Sequence, residues 1–183
     1  MVNKNTLGRA LLALALAPVV AACTAAPASS PSASVAPTPT LTAPPLSPAE
    51  QDLANAKQAV TELWSVVDRL TNDPQASLQD LDTVASGEAL EFFRKNLTGY
   101  RLEQLTGSGS SVVELQSAQP SGNNSQGLPT WTVTSCVDTS DTKLVDSSGK
   151  NVTVPPYRFQ HRSVVVERSG ALRVDQDEVL GTC

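Results

Sequence analysis

Apolar residues recur at three- and four-residue steps in the first long patterned stretch of the chain. Leu53, Ala56, Val60, Leu63, Trp64, Val67 and Leu70 form one continuous stripe, the mark of a helix with a single buried face. Ser47-Pro48-Ala49-Glu50 supplies its start: serine as N-cap, proline at the first helical position, glutamate three residues after the cap. Asn72-Asp73-Pro74 stops it. A short helix is expected over 77–84, with Leu78 and Leu81 facing inward. After Ser86-Gly87 a second long helix is expected over 88–105, with Leu90, Phe93, Leu97, Tyr100 and Leu105 inward and Gly99 weakening its second half.

Beyond Gly107-Ser108-Gly109 the apolar period falls from about 3.6 to 2. Val113 and Leu115 begin an alternating strand toward Gln119, and residues 121–128 read as a polar loop. In the next strand Trp131, Val133, Ser135 and Val137 share one face, with Thr132, Thr134 and Cys136 on the other. Asp146 to Lys150 is a turn. A strand over 157–168, the Ser169-Gly170 turn and a last strand over 171–176 complete the chain, with Leu172 and Val174 inward. Helices first and antiparallel strands after make an α+β layout for residues 47–183.

The first residues follow a different rule. Met1 to Arg9 is polar and carries Lys4 and Arg9, and residues 10–22 are apolar apart from Pro18. That run is too short for a transmembrane helix, which needs about 20 residues, and it reads as a signal peptide. Val20-Ala21-Ala22-Cys23 resembles the bacterial lipobox, an aliphatic and two small residues before a cysteine. The resemblance implies cleavage before Cys23, lipidation of its sulfur and anchoring on the extracytoplasmic face of the cell membrane. Residues 24–46 contain almost only Ala, Pro, Ser and Thr, so a disordered tether is expected between the lipid and the domain.

Cleavage at that point removes two cations and no acid, taking the net charge from −5 to −7. Such a surface is repelled by phosphate backbones, so no nucleic acid is expected as partner and the membrane is met through lipid alone. With Cys23 acylated in an oxidising compartment, Cys136 and Cys183 remain to pair. Their disulfide would contribute roughly 4 kcal/mol on a chain-entropy argument.

Candidate chemistry is sparse. No phosphate-cradling glycine loop, no Gly-x-Ser-x-Gly elbow and no His-x-x-x-His or paired-cysteine metal spacing occurs, so neither cofactor nor metal is expected. His161, the one histidine, is the single candidate for acid–base catalysis. It shares a strand face with Phe159, Ser163 and Val165, which would be the concave face in an enzyme. The plainer expectation is a half-exposed strand histidine among Arg158, Gln160 and Arg162. Asp175, Asp177 and Glu178 are expected as a solvated acidic chain end, and Trp64 and Trp131 as core.

Three features carry a resemblance to a known family: Cys136-Val137-Asp138 in a middle strand, the Val145-Asp146-Ser147-Ser148-Gly149 turn, and the strand pair from Ser169-Gly170 to Cys183. Together with the element order they are similar to actinobacterial lipoproteins with an NTF2-like, or cystatin-like, domain of uncharacterised function. Arg173 departs from the pattern, standing where that resemblance leads one to expect tryptophan. The resemblance implies helices packed across a curved antiparallel sheet, forming a cone. The leading functional expectation is a non-enzymatic, lipid-anchored binding module for an envelope protein or a small apolar ligand. The alternatives are an NTF2-like enzyme of isomerase or dehydratase type, with proton transfer in the cone, and a lipoprotein with a structural or exclusion role at the surface.

Overall fold

The computed structural model describes residues 45–155 and 157–183; the expected signal peptide, Cys23 and nearly all of the tether lie outside them. Helix α1, Pro48–Asn72, begins as its sequence dictates. Glu50 N donates to Ser47 Oγ at 3.4 Å, while Ser47 N donates to Glu50 Oε2 at 2.8 Å. A cap of this kind is worth about 1 kcal/mol. A 3₁₀ turn, Leu78–Asp80, runs into the single turn of α2, Leu81–Val84, and then α3, Gly87–Leu102. Helix α3 stops short of Leu105 because Gln104 adopts a positive φ of 56° and Leu105 N donates back to Tyr100 O at 2.8 Å.

Four long strands form one antiparallel sheet in the order β2-β3-β5-β6: Val112–Asn123, Pro129–Asp138, Arg158–Arg168 and Ala171–Thr182. Two short strands, β1 (Thr106–Ser108) and β4 (Lys143–Val145), pair separately. The layout is α+β, as the order of periodicities requires. Trp131, Val133, Val165 and Val174 of the long sheet meet Ala56, Val60, Leu63, Phe93 and Leu97 of the helices in one core. Each large side chain buried there contributes roughly 1.5–3 kcal/mol.

Several boundaries differ from the sequence reading. Strand β2 continues through Ser121 to Asn123, so the expected loop shrinks to a turn in which Asn124 Oδ1 accepts from Gln126 N and Leu128 N, both at 3.0 Å. The segment at Gly107, expected as punctuation, is β1. It fits only because Gly107 has no Cβ, which would lie 2.6 Å from Thr71 Cγ2 of α1. Asn72 Nδ2 then ties Gly109 O to the same helix at 2.7 Å. Strand β6 runs to Thr182 rather than ending at Gln176.

That last strand carries two bulges. Val165 pairs with Val174 but Val164 with Gln176, which makes Asp175 an extra residue. Further on, His161 pairs with Val179 and Gln160 with Gly181, which makes Leu180 extra. The hairpin joining β5 to β6 is a two-residue turn with positive φ at both Ser169 (54°) and Gly170 (78°), the handedness that matches strand twist. Cys136 and Cys183 are joined by a disulfide, with Cα atoms 6.0 Å apart and a sequence separation of 47. Cys136 shares the outer sheet face with its cross-strand neighbours Glu114 and Gln160, so the bridge pins the chain end from outside. Among the described residues, no helix is long and apolar enough to cross a membrane.

Candidate functional site

Alternation along β5 directs Phe159, His161, Ser163 and Val165 toward the helices. In β6 the inward set would be Leu172, Val174, Gln176 and Glu178 if the strand were regular. The bulge at Asp175 advances the phase by one residue and sets Asp177 opposite Ser163. The bulge is held by three hydrogen bonds, two on Asp175 and one on the preceding carbonyl. Ser86 Oγ donates to Asp175 Oδ1 at 2.7 Å, Arg168 Nη2 donates to the same oxygen at 3.0 Å, and Ser86 N holds Val174 O at 2.8 Å.

The result is a buried polar trio. His161 Nδ1 lies 2.8 Å from Asp177 Oδ2, with the two side chains 7% and 2% exposed. Ser163 Oγ donates to Asp177 Oδ1 at 2.6 Å. An ionised carboxylate only accepts, so the imidazole hydrogen sits on Nδ1 and Nε2 is the nitrogen available to a ligand. The Trp64 ring stands edge-on to His161 (centroids 5.2 Å, 82°) and to Phe93 (5.6 Å, 85°). Trp64 Nε1 is buried without a hydrogen-bond partner among the described residues, as is Oγ of Ser135, the β3 residue opposite His161. Ser163 gives its hydrogen to the carboxylate and not to the histidine, so the trio does not activate a serine nucleophile.

His161 and Asp177 belong to the wall of a cavity of about 950 Å³. Sites for small molecules commonly measure about 300–1,000 Å³. Helix α1 lends it Trp64, Val67, Asp68 and Thr71, one face at helical spacing, and α3 lends Phe92, Phe93, Leu97 and Tyr100. The segment around β1 and β4 closes a further side with Leu144 and Val154. Five of the seven aromatic residues line this space: Trp64, Phe92, Phe93, Tyr100 and Phe159. Phe92 and Val154 are 54% and 75% exposed, an apolar rim. Asp68 accepts from Ser111 N at 2.6 Å and from Ser111 Oγ at 2.8 Å. Burial pushes its carboxyl above the usual carboxylate range, and those two hydrogen bonds pull partly back.

The structure thus corrects two expectations. His161 is buried rather than half-exposed, because its strand face is the one the helices cover. The acidic chain end does not exist as a unit: Asp175 serves the bulge, Asp177 faces the cavity, and Glu178 pairs with Arg162 on the outside. Trp131 is core, as expected, whereas Trp64 is both core and cavity wall. Among the described residues, no three His, Cys, Asp or Glu side chains are placed to hold a metal ion.

No protein-family model matches the chain, and no curated protein sequence matches it. Among solved structures it is similar to the intermembrane space region of the chloroplast protein ARC6, at 16% identity and a TM-score of 0.46, over 75% of this chain and 100% of that one. It is also similar to Aln2 from a Streptomyces species, at 14% identity and a TM-score of 0.40, over 73% of this chain and 93% of that one.

Proposed function

We propose that this chain is a lipid-anchored binding module with an NTF2-like domain, held on the extracytoplasmic face of the cell membrane and taking a small, largely apolar molecule into its cone. One observation carries the reading. Beside the packed core, where α1 and α3 pass over the Phe159 and Val179 end of the sheet, the chain leaves an aromatic-lined cavity with one buried polar pair in its wall. Apolar walls supply affinity, and a few fixed polar groups orient the ligand. The lipid anchor rests on the lipobox-like Val20-Ala21-Ala22-Cys23, and the tether on the composition of residues 24–46.

Titrating the full chain with uncharged N-phenylnaphthylamine tests the cavity. Saturable binding of one equivalent is expected, weakened about tenfold by Val179→Trp at the cavity wall. Binding that never saturates, or that ignores the substitution, would refute it. The anchor is tested by the mass of the mature N-terminus: acyl mass on Cys23 supports it, and a water-soluble product without that mass does not.

The His161–Asp177 pair favours a second reading. A histidine with Nδ1 locked to a carboxylate and Nε2 open is equipped as a general base. In that case bound ligand would exchange a carbon-bound proton with solvent deuterium, and His161→Ala would stop the exchange.

A further inference from the structure

We propose that the ligand is a protonated amine with an apolar, aromatic-sized body. This deepens the binding reading above and rests on it. Three independent features of the same cavity converge. The first is the concentration of aromatic rings in a chain that has few: Trp64, Phe92, Phe93, Tyr100 and Phe159 line one space. Aromatic faces carry negative potential and attract cations most strongly where water is excluded.

The second feature is charge. Three carboxylates, Asp68, Glu88 and Asp177, line the cavity against one lysine, Lys143, while Glu178 borders it with its side chain turned outward. Glu178 is neutralised by Arg162 and Asp177 faces His161. Among the described residues no cation pairs with Asp68 or Glu88. Asp68 lies one helical turn beyond Trp64 on the same face of α1, so a cation against the indole also feels this half-buried carboxylate. An anionic ligand would bring a second negative charge into the same low-dielectric space.

The third feature is the hydrogen-bonding polarity of the buried pair. Asp177 engages Nδ1 of His161, so Nε2 is the ring atom left for the cavity, and in the unprotonated ring it offers only a lone pair. That atom accepts a hydrogen bond from an ammonium N–H, and Asp177 behind it stabilises positive charge in front. A quaternary ammonium has no N–H to give, so the geometry points to primary, secondary or tertiary amines. The negative net charge of the chain, −5, favours the approach of such a cation.

Calorimetric titration of the full chain with naphthylethylamine, naphthylethanol and naphthylacetate compares cation, neutral and anion on one aromatic body. The amine should bind about tenfold more tightly than the alcohol, and the acid least well. Asp68→Asn and, separately, Glu88→Gln should each narrow the ratio of amine to alcohol affinity about threefold. Glu88 is exposed and without an ion pair, so its variant reports on charge even if Asp68→Asn disturbs the Ser111 contacts. An alcohol or acid that matches the amine overturns the amine assignment and leaves the binding reading standing. If none of the three binds while N-phenylnaphthylamine does, the amine assignment again falls alone. If no compound binds, both fall.

Discussion

Asp177 Oδ2 meets His161 Nδ1 at 2.8 Å although strict alternation along β6 would turn Asp177 to the outside. The contact exists because an extra residue, Asp175, is absorbed two positions earlier. The buried pair in the cavity wall is therefore a product of strand irregularity as much as of residue choice, and its energetics can be tested directly.

Asp177→Ala removes the acceptor used by both His161 and Ser163 and leaves two buried polar groups unpaired. Stability should fall by about 3 kcal/mol, read from the urea midpoint. Asp177→Asn, which keeps the shape and one acceptor, should cost less. Equal losses from the two variants would show that shape, and not hydrogen bonding, holds the pair.

The pH dependence of Asp68 has a definite sign. Its carboxyl is raised by burial, so the folded chain holds that proton more tightly than the unfolded chain does. The stabilisation this group contributes is complete below the ordinary Asp value and is lost as pH rises through the folded value. Asp68→Asn does not titrate and should gain in thermal stability relative to the native chain between about pH 3 and about pH 7. A midpoint difference that is identical at the two pH values would contradict it.

Gly87 opens α3 with φ of +51°, and a Cβ there would lie 2.7 Å from Asp175 Oδ1. Gly87→Ala should destabilise the fold by about 1–3 kcal/mol. Because it strikes the carboxylate that secures the bulge, it should also weaken N-phenylnaphthylamine binding. Exposed Gly149, with open space around it, is the matching control for glycine loss in a turn.

Replacing both Cys136 and Cys183 by serine should lower stability by about 4 kcal/mol, measured as a shift in urea midpoint against the oxidised chain. The bridge lies on the outer sheet face, away from the cavity wall, so ligand affinity at a temperature where the variant stays folded should not change.

Much of the fold was legible from periodicity. The stripe from Leu53 to Leu70 and the Ser47–Glu50 box define α1, and the faces of β3 and β5 follow from alternation. What escaped has physical reasons. Strands of three residues, such as β1 and β4, are too short to show a period, and their pairing depends on Gly107 yielding space to Thr71. Alternation along β5 puts His161 on a face with Phe159, Ser163 and Val165, but its burial depends on which side the helices cover. Asp177 was hidden because pattern reading assumes an unbroken phase. The only local hint was an acidic run, Asp175 to Glu178, too polar for a strand that ends at Gln176 and explicable once each acid has a different neighbour.

The clasp of Ser86 and Arg168 on Asp175 sits where α2 and α3 join, apart from the cavity lining, yet it decides what the cavity presents. With Val165 still opposite Val174, a β6 ironed flat would bring Gln176 across from Ser163 and trade an anion for an amide. One strand thus contains two alternative linings, and three hydrogen bonds outside the cavity select between them.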